Sequence, residues 1–259
     1  MKKTDLEYAI ESHASEQQLH FRKRLNEMYD GSPVPRDHLM SNFGLYMRSS
    51  ALVKILVLNE IYEMVVDVPG CIMEFGTWWG QNLVVFENLR AIYEPFNKMR
   101  RVIGFDTFGG YTGFSEADRA GSVVKEGGYT VTPEHRPYLE ELLKVHEGNN
   151  VLGHVRGRHE LVEGNVVETA PGYFREHPET IVALAYLDVG LYEPTKAILQ
   201  AIKPHLVPGS VVVMDELTWP ETPGEAIAFK EVFRDVKYTI RKSRYTPERA
   251  LVVVQSVAG

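Results

Sequence analysis

The chain has 259 residues, of which 44% are apolar and 24% charged, with a formal net charge of −7. That fits one large α/β domain with additions and argues against a general nucleic-acid binder. No apolar run is long enough to span a bilayer, the polar start Met-Lys-Lys-Thr-Asp-Leu-Glu carries no signal-peptide core, and the single cysteine, Cys71, allows no intrachain disulfide, so a reducing cytoplasm is the simplest expected location.

Residues 5–29 are polar and helical in pattern, end at Asp30-Gly31 and are followed by the break Ser32-Pro33-Val34-Pro35. They predict a helical extension over 1–45, appended to a main domain over 46–259. A second amphipathic helix is expected over 46–66, with Leu52, Ile55, Leu56, Leu58, Ile61 and Met64 among its apolar positions. Val68-Pro69-Gly70 ends it. A short strand, Cys71 to Met73, then runs into a turn carrying Glu74, Gly76 and Gly80, and a helix opens at once over 81–93.

A strand over 101–105 ends at Asp106, and an irregular, Gly-rich stretch from Thr107 to Pro133 reads as a lid-like insertion. A helix over 134–146 and a strand over 159–163 follow, then Gly164 and a helix over 167–177. The continuous apolar run 181–187 has the look of a central parallel strand buried on both faces, and it ends at Asp188. A helix over 193–204, a strand over 210–214 ending at Asp215-Glu216, and a helix over 224–234 continue the alternation. Two β-like stretches, 236–241 and 250–256, suggest a closing hairpin. The alternation predicts an α/β fold: a doubly wound, Rossmann-like, mostly parallel seven-stranded sheet with one antiparallel strand near its end. The basic stretches 21–24 and 241–244 are expected to be solvated faces, Cys71 a buried small hydrophobe, and His135, His146, His154, His159 and His177 surface or capping residues.

Residues 70–80, Gly-Cys-Ile-Met-Glu-Phe-Gly-Thr-Trp-Trp-Gly, are the centre of the functional reading. A strand that ends in glycines and opens a helix is a place to hold a nucleotide-like ligand. The spacing is not the dinucleotide G-x-G-x-x-G, and bulky Thr77-Trp78-Trp79 stands where a pyrophosphate would need room. An acid beside the glycines suits a cationic ligand, which points to S-adenosylmethionine. Asp106, one βαβ step later, is placed to accept the two hydroxyls of a ribose. Phe108 is a candidate to cover the adenine, or else a core aromatic. Glu163-Gly164-Asn165 borders the same rim. Asp188, Asp215 and Glu216 form an all-carboxylate set at adjacent strand ends, which favours a hard cation such as magnesium over zinc. No G-x-S-x-G elbow and no Walker A motif is present.

From Tyr46 to Val254 the chain resembles the macrocin O-methyltransferase (TylF-type) family of antibiotic-pathway sugar O-methyltransferases. The resemblance rests on Tyr46-Met47-Arg48, Val68-Pro69-Gly70, the 74–80 glycine turn and Phe105-Asp106-Thr107-Phe108-Gly109-Gly110. Leu187-Asp188-Val189-Gly190-Leu191-Tyr192-Glu193-Pro194-Thr195 and the stretch from Pro208-Gly209-Ser210 to Asp215-Glu216 complete it. It looks most like the branch acting on deoxysugars. The resemblance implies a class I methyltransferase fold and S-adenosylmethionine held by Glu74, Phe75, Gly76, Thr77, Trp78, Gly80, Asp106, Thr107, Phe108, Gly164 and Asp188. It also implies a divalent metal, magnesium by expectation, on Asp188, Asp215 and Glu216, with Asp188 catalytic, and a homo-oligomer acting on a small-molecule deoxysugar, with no nucleic-acid or membrane partner. Family members often carry a second Asp, the proposed general base, where this chain has Gly190. A catechol-like phenol O-methyltransferase and a non-catalytic S-adenosylmethionine-binding protein are the alternatives.

Overall fold

The computed structural model describes residues 14–112, 115, 118, 127–150, 158–220 and 222–257. Much of the lid expected over 107–133 falls outside those residues, as do His154 and the start of the expected first helix. The chain forms a seven-stranded sheet in the order β3-β2-β1-β4-β5-β7-β6. Its strands are β1 (Cys71–Phe75), β2 (Val102–Asp106), β3 (His159–Glu163), β4 (Val182–Leu187), β5 (Leu206–Met214), β6 (Val236–Lys242) and β7 (Ala250–Val257). The first five pair in parallel; β7 alone runs antiparallel, to both β5 and β6. This is the doubly wound, seven-stranded sheet that the sequence predicts. The strand order reverses between β1 and β4, and a crevice opens there at the carboxyl ends of the strands.

The helices divide between the two faces. On one lie α3 (Ser49–Val65), α4 (Gln81–Tyr93) and α5 (His135–Asn149); on the other α6 (Val166–Glu176), α7 (Tyr192–Ile202) and α8 (Pro223–Val232). Each face has its own core. Leu58, Ile61, Leu83, Phe86, Leu139 and Leu143 pack beneath the first, and Phe174, Ile198, Leu199, Phe229 and Phe233 beneath the second. β4 is buried along its whole length, as the unbroken apolar run requires. Among the described residues no helix is long and apolar enough to cross a membrane.

The N-terminal piece is different in kind. Helix α1 (Glu16–Asp30) opens with a Ser15/Gln18 capping box but buries no residue. After α2 (Arg36–Leu39), the stretch Met40–Tyr46 is 3-10 helix, so α3 starts at Ser49 and not at 46. Strand β5 starts four residues earlier than expected. Pro208-Gly209 looks like a strand boundary in sequence, but the pair is absorbed as an irregularity between Val182 and Leu184 of β4, with Gly209 at φ +95°.

Two buried charges brace this frame. Arg100, 1% exposed, donates to the carbonyls of Val65, Val68 and Gly70 at 2.6–2.9 Å and pairs with Glu94 at 2.9 Å. It thereby fixes the link from α3 into β1. Glu60, 2% exposed on α3, accepts from Arg241 and from the Ser243 hydroxyl at 2.6 Å each, and from Arg244 at 3.2 Å. The basic residues of 241–244 are exposed as expected, and two of them also reach this buried carboxylate. His159, however, is no surface residue: its side chain is 4% exposed, 3.9 Å from Glu147. Cys71 is buried as expected, and burial pushes its thiol up to about 12.

Candidate active site

A cavity of about 440 Å³ opens at the carboxyl ends of the parallel strands, within the range of small-molecule and cofactor sites. Gly76, Trp78, Asp106, Thr107, Gly164, Asp188, Asp215 and Glu216 line it, so the structure brings most of the sequence candidates together.

Gly76 makes the close approach that the glycine turn suggests. It has φ +93°, and a Cβ there would sit 2.1 Å from the Asp188 carbonyl oxygen. Only glycine lets the turn after β1 lie against the turn after β4. Asp106 braces the neighbouring turns. One carboxylate oxygen accepts from the Trp78 N–H at 2.7 Å and the other from the Phe108 N–H at 2.6 Å. Trp78 (φ +48°) and Phe108 (φ +53°) are both left-handed without being glycine, a strain held by one side chain. Burial raises the Asp106 carboxyl, while the N–H groups of Trp78, Phe108, Thr77 and Thr107 oppose that.

Other candidates lie off the cavity wall. Phe75 stacks on Phe105 in the core at 4.7 Å. Phe108 packs into the core beneath α3–α5 and is not among the residues that line the cavity. Gly80, at φ +78°, starts α4 with its α-carbon against Leu139. Glu74 belongs to β1, not to the turn, and is 1% exposed; burial drives its carboxyl well above the usual range, eased by Lys54 and Asn82. Thr77 is buried, and its hydroxyl meets no hydrogen-bond partner among the described residues. Residues that sequence reasoning missed complete the wall. Lys54 comes from α3, Tyr111 and Tyr129 from the stretch after β2, Trp219 from beyond β5, and Glu248 and Arg249 from the β6–β7 turn. Isolated aromatics and a turn arginine carry no spacing signal, and only the closing of the sheet brings them here.

The acids at the β4 and β5 ends form a strongly coupled group. Burial first, and then Asp215, push the Asp188 carboxyl up to about 7, with Lys54 opposing. Asp215 accepts from Arg249 Nε at 2.7 Å and from the Tyr186 hydroxyl. As placed, Asp215 Oδ1 is the oxygen that both of these partners engage. Among the described residues no three His, Cys, Asp or Glu side chains converge closely enough to hold a metal ion. The magnesium site expected on Asp188, Asp215 and Glu216 is thus not shown by the arrangement of these side chains.

S-adenosylmethionine, by contrast, fits what the chain offers: a cavity of suitable volume, a cradle at Gly76 that a Cβ would fill, and acids around the rim. Replacing Asp106 with Ala is expected to free both strained residues and to weaken S-adenosylmethionine at least about tenfold, with melting shifted by only a few degrees. Calorimetric titration checks this, and unchanged affinity would show that the brace does not serve the ligand.

Comparison with known proteins agrees with the geometry. A family profile described as a methyltransferase domain matches residues 73–217. The chain is 40% identical to CalS11, calicheamicin methyltransferase, over 98% of both chains, with a TM-score of 0.88. The apo structure of CalS11, described as TDP-rhamnose 3'-O-methyltransferase of calicheamicin biosynthesis, matches over 93% of this chain and 96% of the other with a TM-score of 0.81. The O-methyltransferase NovP, at 19% identity and a TM-score of 0.57 over 80% of each chain, shares the fold. No match is found among curated protein sequences. The deoxysugar branch singled out by the sequence motifs, and within it a calicheamicin-pathway rhamnose O-methyltransferase, is the one that the CalS11 structures represent. The chain belongs to the methyltransferase-domain family.

Proposed function

We propose that this protein transfers a methyl group from S-adenosylmethionine to a hydroxyl of a deoxysugar in antibiotic biosynthesis. The observation that carries the reading is the 40% identity to CalS11 over 98% of the chain, with the acid-rimmed cavity at the carboxyl end of the parallel strands beside it. When bound, S-adenosylmethionine supplies an electrophilic methyl group on a sulfonium. The chain's own residues do the rest. The Gly76 turn admits the ligand closely, and Asp106 sets the turns that flank it. Trp78, Tyr111 and Tyr129 form an aromatic wall, with Tyr129 5.4 Å from each of the other two rings, which excludes water and offers a face to a sugar. Asp188 stands at the rim to receive the proton that the acceptor hydroxyl gives up as its oxygen bonds to carbon. Most of the acceleration then comes from proximity and alignment.

The test is calorimetric binding of S-adenosylmethionine, with and without magnesium and beside NAD, followed by methyl transfer to TDP-rhamnose, the sugar named for CalS11. Micromolar binding and a methylated sugar are expected. Preference for NAD, or binding without transfer to any sugar, would count against the reading. The proposal includes self-association through the extension over 1–45, supported by Phe21, Met40, Phe43 and Leu45, which are 47–81% exposed. Light scattering should give a multiple of the 29.4 kDa chain mass, and a monomer at micromolar concentration would refute it.

A further inference from the structure

Among the described residues that line the cavity, acids are many and cations are two, Lys54 and Arg249. Arg249 is committed, meeting Asp215 and Glu248 at 2.7 Å each. Lys54 has no such tie. Its side chain is half-buried on the second turn of α3, yet no hydrogen bond or ion pair engages its ammonium among the described residues. A strongly hydrated ammonium held partly out of water without a counter-ion is an unfavourable arrangement that an incoming anion relieves. Two acids define where that charge stands. Burial raises the carboxyls of Glu74 and Asp188, and the Lys54 charge opposes the rise in both. Glu74 lies in β1 and Asp188 follows β4, so the ammonium stands over the gap where the strand order reverses.

The sheet order sets what reaches that gap. Asp106, at the end of β2, and Gly164 and Asn165, after β3, line one end of the cavity, while Trp219 and Glu248 line the other. A nucleoside seated at the β2–β3 end leaves the amino-acid tail of S-adenosylmethionine at the β1–β4 gap, beside Gly76. That tail carries the one anionic group of the molecule, its α-carboxylate. The sulfonium and the ammonium are cations and suit the acids of the rim. We propose that Lys54 pairs with the α-carboxylate of S-adenosylmethionine and fixes the amino-acid end of the cofactor, so that the methyl group faces the acceptor side of the cavity. The proposal rests on the cofactor part of the reading above. It makes Lys54 a binding residue that separates S-adenosylmethionine from adenosine compounds without the carboxylate. A phosphate of a nucleotide-linked acceptor is the other anion of matching chemistry, and the experiment separates the two.

Calorimetry titrates wild type, Lys54→Met and Lys54→Arg with three ligands: S-adenosylmethionine, its decarboxylated analogue, and TDP. Wild type should bind the analogue about 10–100-fold more weakly than S-adenosylmethionine, the range of a hydrogen bond to a charged group. Lys54→Met should lose a similar factor on S-adenosylmethionine and nothing more on the analogue, because the two changes remove the same contact. Lys54→Arg should recover most of the loss, and TDP affinity should be the same in all three proteins. Equal wild-type affinity for S-adenosylmethionine and its analogue would overturn the proposal, and this comparison needs no variant to fold. A Lys54→Met protein that binds S-adenosylmethionine as wild type does, or that loses as much on the analogue, would overturn it too. So would a loss confined to TDP, which would hand Lys54 to the phosphates of the acceptor. Wild type that binds neither S-adenosylmethionine nor its analogue would instead overturn the cofactor reading on which the proposal rests.

Discussion

Asp188→Asn is expected to lower kcat by about 10²–10⁴-fold while leaving S-adenosylmethionine affinity within a few-fold of wild type. The asparagine keeps the size and the turn geometry after β4 but cannot receive a proton. Burial, and then Asp215, place the Asp188 carboxyl at about 7, so it changes charge within the working range. Its basic form is the ionised one. The wild-type kcat/KM should therefore rise with pH through about 7 and level off above it, and Asp188→Asn should lose that limb. The same shift works against the empty fold as pH rises. The folded chain holds a proton that the unfolded chain releases near the usual carboxylate pKa, so stability drains between that value and about 7. Rate–pH profiles of the two enzymes, with calorimetry of S-adenosylmethionine, decide the matter. Near-normal turnover in Asp188→Asn would remove the residue from the chemistry.

Arg100→Met should cost about 3–5 kcal/mol of stability, the usual consequence of removing one partner from a buried charge pair. For a domain of this size that corresponds to a fall in Tm of roughly 10 °C. The guanidinium serves Glu94, which also accepts from the Tyr62 hydroxyl at 2.6 Å, and the carbonyls of Val65, Val68 and Gly70. Methionine fills part of the volume but leaves Glu94 without its cation and takes the guanidinium away from three carbonyls, of which Val65 keeps the Val68 N–H. Because those carbonyls lie on the link into β1, S-adenosylmethionine affinity should fall as well. Scanning calorimetry and ligand titration measure the two effects, and a Tm change below about 3 °C would show that the network is dispensable.

The sheet was legible because its signals are local. The apolar run ending at Asp188 could only be a central strand, and strands ending in Asp106, Asp188 and Asp215-Glu216 converge wherever parallel strands share a rim. Gly76 was legible for the same reason, since a glycine between a strand and a helix implies a close approach. The packing of Phe108 was not, because which way an aromatic turns depends on a backbone φ that the Asp106 hydrogen bond helps to hold. The Arg249 contact of the acid set comes from a residue far away in sequence. Arg249 reaches Asp215 only after β7 has paired with β5, and no spacing within 188–216 announces it. Lys54 and the Glu60 contacts were hidden likewise, being matters of tertiary packing, which for Glu60 spans 181–184 positions of chain.

The clasp between Glu60 and the 241–244 stretch bears on how this enzyme could be re-engineered. The turn joining β6 to β7 delivers Glu248 and Arg249 to the cavity wall, yet it is fastened to α3 through Arg241, Ser243 and Arg244. Anchor and working residues are therefore separate within one short segment. A library that varies positions 245–249 while retaining the three anchoring residues explores new acceptor pockets on an unchanged hinge point. A graft that discards Ser243 or Arg241 strands a buried carboxylate and sacrifices the scaffold before it alters the substrate.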